Sequence, residues 1–341
     1  MSDQSLRTQC MDVRTQDWSP EIAAAADVDL KEKMPALFSI DDVIGEVTKE
    51  AAQQTGLMPG IPVLAGCSDA MASMYATGIS RSGEAGESSG TTSLVFVGSE
   101  VPGAPDDPVT ARPCAIKGIP WVFDAPIQSS GAALKWYIDT MAQEERAYAK
   151  EHGLNIYTYL NQLALKANPG CGGLIFFPYL MGERAPLWND HASAMFIGMR
   201  MNMSRADLAR SVFEGTAYAL RHVIETVRQS GGKAQLLRIC GGGAASRTWN
   251  LIKASMLNMP VYVLDPESGD VPVGDALIAG CKAGLFSDLG EASEKVVKIA
   301  EVIDPIPEWT RAYDQIYPHF LNLYRCMDSE LAAMYKTVKK M

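Results

Sequence analysis

The sequence predicts an α/β fold, and three observations carry that prediction. A short apolar run, Ile61 to Ala65, reaches Gly66 and then a lone carboxylate, Asp69. A second apolar run, Leu236 to Cys240, opens straight into Gly241-Gly242-Gly243-Ala244-Ala245-Ser246 and a helix through about Leu257. Between them lies a long amphipathic segment, Asp207 to about Gln229, with Leu208, Val212, Phe213, Leu220, Val223, Ile224 and Val227 on one broad face. Strands that end in glycine turns and alternate with helices of period 3.6 build sheets with helices packed on them.

The elements follow in order. Up to about Pro59 the chain alternates polar turns with short apolar pieces; Ser39-Ile40-Asp41-Asp42 caps or turns before Val43, and Glu50 to Gly56 reads as the end of a short helix. Ile61 to Ala65 is expected to be a buried strand with Asp69 at its carboxyl end, where open α/β sheets place their ligands. Ser88-Ser89-Gly90-Thr91-Thr92-Ser93 joins Glu87 to the strand-like Leu94 to Val97 as a hairpin. Further strands are expected at Trp121 to Phe123 and Leu174 to Phe177, with a helix from about Gly131 to Met141 between them. Ser204 with Asp207 resembles a capping box, and Gly231-Gly232 supplies the stop of the long helix. After the glycine turn and its helix come a strand at Val261 to Leu264 and a small-residue helix from about Gly274 to Leu285. A last amphipathic helix runs from about Phe320 to Val338, with Pro305, Pro307 and Pro318 as interruptions before it and Lys339 and Lys340 as a solvated finish.

Composition narrows the function. A chain of 341 residues is about right for two domains, and 47% hydrophobic with 21% charged residues is ordinary for a soluble globular protein. No apolar run has the length of a membrane span and MSDQSLRTQ has no signal-peptide core, so the cytosol is the expected compartment. The seven cysteines are spread without a CxxC pair and read as reduced thiols. His152, His191, His222 and His319 stand at no metal-ligand spacing, which argues against a protein-ligated zinc and a His-based triad. A net charge of −10 argues against nucleic acid and leaves small phosphorylated or neutral ligands.

Within these limits two segments suggest phosphoryl transfer. A carboxylate at Asp69 can take a hydroxyl proton as the oxygen attacks phosphorus. The small residues of the Ser88 to Ser93 turn would leave N–H groups and hydroxyls for phosphate oxygens. The bland alternatives are a capping Asp and an ordinary β-turn. The triple glycine is equally open: it admits a nucleotide, or it lets a helix pack tightly on a strand, and it matches neither GxGxxG nor the P-loop.

Taken together these segments resemble the FGGY carbohydrate kinases. The most specific match is AMFIGMRMNMSRADLARSVFE, Ala194 to Glu214, which is similar to the family's second signature at Ala194, Phe196, Gly198, Met199, Asp207, Leu208, Ser211, Val212, Phe213 and Glu214. Physically that stretch is mostly scaffold. PYLMGERAPLW from Pro178 to Trp188, GGGAAS and VGDALIAG stand in the family's order, and GERAP with GCSDAMAS looks most like the xylulokinase-type members. The resemblance covers nearly the whole chain from about Asp12. It implies an actin-like, ribonuclease-H-like fold with one complete C-terminal, nucleotide-binding domain over residues 83–341 and the tail of an N-terminal, sugar-binding domain over residues 1–82. It implies ATP and Mg²⁺ as cofactors, and it assigns no residue of this chain to a metal. Asp69 would be the general base. Gly90, Thr91 and Thr92 would hold phosphate, Gly131 and Lys135 would touch ATP from a helix start, and Gly242, Gly243, Ser246 and Asn250 would lie on the adenosine side. For Lys135 and Asn250 a solvated or packing role is the alternative. Arg184 serves the site electrostatically or pairs with Glu183 or Asp190, whereas Trp136 and Trp188 read as core residues.

Departures qualify that resemblance. The Asp-x-Gly-Thr strand, the first signature and several sugar-binding side chains of the family's front domain have no counterpart here, so the chain reads as lacking a front section. Ser255 stands where many relatives have Asp, and Ala70 stands where xylulokinases often have a polar residue. The expected activity is phosphorylation of a ketopentose such as xylulose, with ribulose, another ketose or a polyol as alternatives. The expected partners are a small sugar and no nucleic acid or membrane. A homodimer or a separately encoded front domain would cover apolar surface left bare. Two other readings stand beside it: a non-catalytic nucleotide-binding or interaction module, and an ATP hydrolase or actin-like assembling protein, which fits the GERAP loop poorly.

Overall fold

The computed structural model describes residues 8–104 and 106–339. Two small antiparallel pairs come first, β1 (Met11–Asp12) with β2 (Asp17–Trp18) and β3 (Val43–Glu46) with β4 (Pro62–Leu64). β5 (Glu84–Ser89), β6 (Ser93–Ser99), β7 (Thr110–Pro113) and β8 (Trp121–Ile127) open the main sheet. β9 (Ile175–Phe177) and β10 (Met195–Ile197) pair apart from it. β11 (Leu236–Cys240), β12 (Val261–Leu264) and β13 (Ile299–Ile303) complete it. The seven strands run in the order β13-β12-β11-β5-β6-β8-β7, with β11 parallel to β5 and β12 and the other neighbours antiparallel.

Period-2 alternation sends successive side chains of the central strands into two different cores. Val95, Val97 and Phe123 face the larger one, against Val212, Phe213 and Val223 of the helix Arg205–Gln229 and Ile252 and Met256 of the helix Arg247–Leu257. Their neighbours Phe96 and Val122 face the smaller one, with Met71, Met74 and Tyr75 of the helix Asp69–Ala76 and Leu277 and Ile278 of the helix Val271–Lys282. These two helices touch at Gly274, where a Cβ would sit 1.9 Å from the Ala72 carbonyl oxygen. The smaller core therefore spans the expected division at residues 82 and 83. Met11, Trp18 and Leu30 form a separate small cluster near the start.

The long helix begins as its cap residues predict: the Ser204 hydroxyl and the Asp207 carboxylate close a capping box. Two expectations are corrected. The Ile61 to Ala65 run is not a buried strand, because β4 pairs with β3 alone, and both Val43 and Val63 are exposed. Pro318 does not interrupt the last helix, which is continuous over Pro307–Val338. The missing N–H and ring crowding of a mid-helix proline are outweighed there by Tyr313, Tyr317, Phe320 and Tyr324, which bury the helix on the main core. The helices Gln143–Glu151 and Ile156–Ala164, and β13, are elements that the sequence reading passes over.

Candidate functional site

The turn between β5 and β6 is locked to the helix that follows β8. The amides of Gly131 and Ala132, at the start of the helix Gly131–Thr140, donate to the carbonyls of Gly90 and Thr91 at 3.0 Å each. Gly131 is glycine for this reason: its Cβ would lie 2.5 Å from the Gly90 oxygen. The helix start thus spends these amides on the turn. The amides and hydroxyls of Thr91 and Thr92 make no hydrogen bond to another described residue.

The glycine turn meets the same hairpin from the other side. A Cβ on Gly241 would lie 2.7 Å from the Ser89 carbonyl oxygen, and one on Gly243 would lie 2.2 Å from Ser89 Oγ. Gly242 has open space instead, with nothing within 4 Å of where its Cβ would stand. Two glycines therefore serve tight packing and one faces a cavity, so both readings of the triple glycine apply, to different residues. Ser246 caps the helix Arg247–Leu257 by accepting from the Trp249 amide, and its hydroxyl donates to Asn161 Oδ1 at 2.7 Å.

Between these walls lies a cleft of about 880 Å³. Of the residues expected to contact a nucleotide, Gly90, Thr91, Gly131, Lys135, Gly242, Gly243 and Ser246 all line it. Thr92 belongs to the turn but not to the lining. Asn250 is fully buried behind the glycine turn, where its side-chain amide donates to the Ala244 carbonyl at 2.7 Å. Lys135 is exposed at the cleft and paired with Asp139 one helical turn on. The sequence reading misses Asn155, Tyr157, Thr158 and Asn161, which line the opposite wall from the helix Ile156–Ala164 and its cap. Asn155 followed by Ile156, Leu160 and Leu163 would have found the helix, though not its role. Trp136 and Trp249 also line the cleft, and Trp188 is exposed with its indole N–H on the Pro108 carbonyl.

Asp69 stands apart from this lining. It occupies the first turn of the helix Asp69–Ala76, after the cap Ser68, and is exposed. Its Oδ1 accepts from the Ala70 amide at 2.8 Å. In the GERAP loop, Arg184 is exposed, whereas Glu183 is buried at the end of β8. Glu183 Oε1 accepts from the amides of Gln128 and Arg184, and burial pushes its carboxyl up to about 7 against those two bonds. Its Oε2 has no partner among the described residues.

A fully buried knot holds the signature helix. Arg210 Nε donates to Glu214 Oε1 at 2.6 Å, Arg210 also reaches the Tyr313 hydroxyl and the Ala167 carbonyl, and Glu214 accepts from the Gly170 amide. The signature residue Glu214 is therefore scaffold, tying the helix Arg205–Gln229 to the loop before β9 and to the last helix. No described helix is long and apolar enough to cross a membrane.

Comparison with known proteins identifies the family of the chain. Residues 87–283 match the model of the C-terminal domain of the FGGY family of carbohydrate kinases, and residues 1–76 match that of its N-terminal domain. The chain is 27% identical over 324 residues to a gluconokinase of Bacillus subtilis, covering 95% of this chain and 62% of that protein. It is 33% identical over 278 residues to a xylulose kinase of Klebsiella pneumoniae, covering 81% and 53%. Among solved structures, a xylulose kinase from Rhodospirillum rubrum superposes with a TM-score of 0.84 at 27% identity, covering 97% of this chain and 64% of that one. The chain thus spans about three-fifths of the length of the curated relatives it matches. With a family model matching more than half of its residues, the chain belongs to the FGGY family of carbohydrate kinases, whose actin-like fold it shares.

Proposed function

We propose that the cleft binds ATP and that the chain takes part in phosphorylating a sugar hydroxyl, with a ketopentose such as xylulose as the acceptor. The single observation that supports this best is the convergence of Gly90, Thr91, Gly131, Lys135, Gly242, Gly243 and Ser246 on one cavity of nucleotide size. Adenosine would lie along the open face of Gly242 and beside Ser246, and the phosphates would reach the Thr91 and Thr92 amides and hydroxyls, with Lys135 at the mouth. When bound, ATP supplies the transferable phosphoryl group. Asp69 would accept the proton from the sugar hydroxyl, and its exposure leaves it open to a sugar. Magnesium would enter on the nucleotide phosphates, its usual carrier in kinase sites. Val43, Ile44 and Val63, exposed on the β3–β4 pair, are apolar surface that a second copy of the chain or a front domain would cover.

A second reading, a nucleotide-binding module without turnover, is favoured by one fact: Asp69 does not line the cleft. A coupled ADP-release assay across pentuloses and polyols separates the two. Kinase function predicts turnover above buffer, and Asp69→Asn should lower it by about 10²- to 10⁴-fold with ADP affinity unchanged. ADP binding with no turnover on any sugar would leave the binding module standing, and full activity in Asp69→Asn would remove Asp69 from the base role.

A further inference from the structure

Beneath the cleft lies a buried ion pair that the proposed chemistry leaves unused. Lys253, on the helix Arg247–Leu257, and Glu87, on β5, are each 1% exposed, and the ammonium lies 2.8 Å from both carboxylate oxygens. Burial pushes the Lys253 ammonium down while Glu87 supports its charge. A buried pair of this kind is no more stable in general than apolar side chains of similar volume, so stability alone does not explain it.

Its contacts lead to two walls of the cleft. Ser93 Oγ lies 2.7 Å from Glu87 Oε1 and 2.8 Å from Ser130 Oγ. With one proton per hydroxyl, Ser93 donates to the carboxylate and accepts from Ser130. Ser130 holds the N-cap position of the helix Gly131–Thr140, yet its side chain makes no capping bond. Its hydroxyl is committed to Ser93 instead, while the Gly90 and Thr91 carbonyls take the helix amides. On the other side, Lys253 Nζ lies 3.5 Å from Ser89 Oγ, the atom against which Gly243 packs, and 4.4 Å from the ring centroid of Trp249, which lines the cleft.

We propose that Lys253, Glu87, Ser93 and Ser130 are positioning residues, a single buried hydrogen-bonded chain that holds the Gly90–Thr92 turn and the Gly131 helix start in the arrangement that receives the phosphate end of a nucleotide. For its ligand this rests on the proposed nucleotide cleft. Such a chain acts on the turn and leaves the adenosine wall at Gly242 in place. Phosphate-bearing and phosphate-free ligands should therefore respond differently when it is cut.

The test uses the 341-residue chain with Ser93→Ala, and with the double variant Glu87→Gln/Lys253→Met, which leaves no orphaned charge. ADP and adenosine are titrated calorimetrically, and amide hydrogen exchange is followed at residues 90–93 and 130–133 without ligand. ADP affinity should fall about tenfold, the worth of one hydrogen bond to a charged group, while adenosine affinity stays within about twofold. Exchange should quicken in both segments together. Equal loss of ADP and adenosine, or an unchanged ratio, overturns the positioning role, and so does unchanged exchange. A parent chain that binds neither ligand overturns the nucleotide reading itself, and the exchange result then decides on the tie alone.

Discussion

Gly242 and Gly243 are neighbours in one turn, yet substituting them should have opposite consequences. At Gly243 a Cβ would lie 2.2 Å from Ser89 Oγ, 2.9 Å from Ser89 Cβ and 3.3 Å from the Trp249 ring. Ser89 is fully buried and cannot swing away, so Gly243→Ala overpacks the contact between the glycine turn and the hairpin. Overpacking of this order costs about 1–3 kcal/mol, which for a chain of this size lowers Tm by about 1–4 °C. At Gly242 nothing lies within 4 Å of the Cβ position, and the backbone is not in the left-handed region. Gly242→Leu should therefore hold Tm within about 1 °C. Its side chain projects into the cleft, and ADP affinity should fall by about tenfold or more through the steric block. Differential scanning calorimetry and ADP titration on both variants measure the contrast. A Gly242→Leu variant that keeps full ADP affinity would refute the assignment of this cavity to the nucleotide. A Gly243→Ala variant as stable as the parent would refute the packing account of the turn.

Two further outcomes follow from buried charges. Arg210→Met leaves Glu214 buried without its cation and strips donors from the Ala164 and Ala167 carbonyls, and breaking such a pair costs about 3–5 kcal/mol, read as a urea midpoint shift at unchanged slope. An unshifted midpoint would show that the knot is not structural. Glu183 should make stability fall as pH rises: its carboxyl is raised from 4.5 to about 7 in the folded chain, so its contribution is complete below pH 4.5 and is lost as pH passes through 7. At about 1.4 kcal/mol per unit the difference is of order 3 kcal/mol, and Glu183→Gln should flatten that part of the pH profile in urea titrations between about pH 5 and 8. An identical slope in the variant would assign the pH dependence elsewhere.

Features written in local chemistry are legible in the sequence. The Ser204–Asp207 box, the hairpin at Gly90 and the β11–turn–helix unit all rest on contacts a few residues apart, and each stands where its residues predict. Features that depend on distant partners are not. Ile61 to Ala65 is as apolar as a core strand, but whether it is buried depends on what pairs beyond β3, which no local pattern records. Pro318 reads as a break until the four aromatic residues around it are seen on the main core. The cleft divides in the same way. Its glycines and threonines are visible as turn chemistry, whereas the wall from Asn155 to Asn161 and the Glu87–Lys253 pair need three-dimensional proximity across up to 166 residues of sequence. Asn250 shows the limit from the other side: a polar residue beside a glycine turn suggests a ligand contact, and its amide is spent on Ala244.

A structure of the chain with ADP bound would show which cavity the nucleotide takes. The adenosine should lie against Gly242 and Ser246 and the diphosphate at the Thr91 and Thr92 amides. ADP found instead in the neighbouring cavity lined by Cys240, Asp265 and Asp270, on the far side of the glycine turn, would contradict this placement.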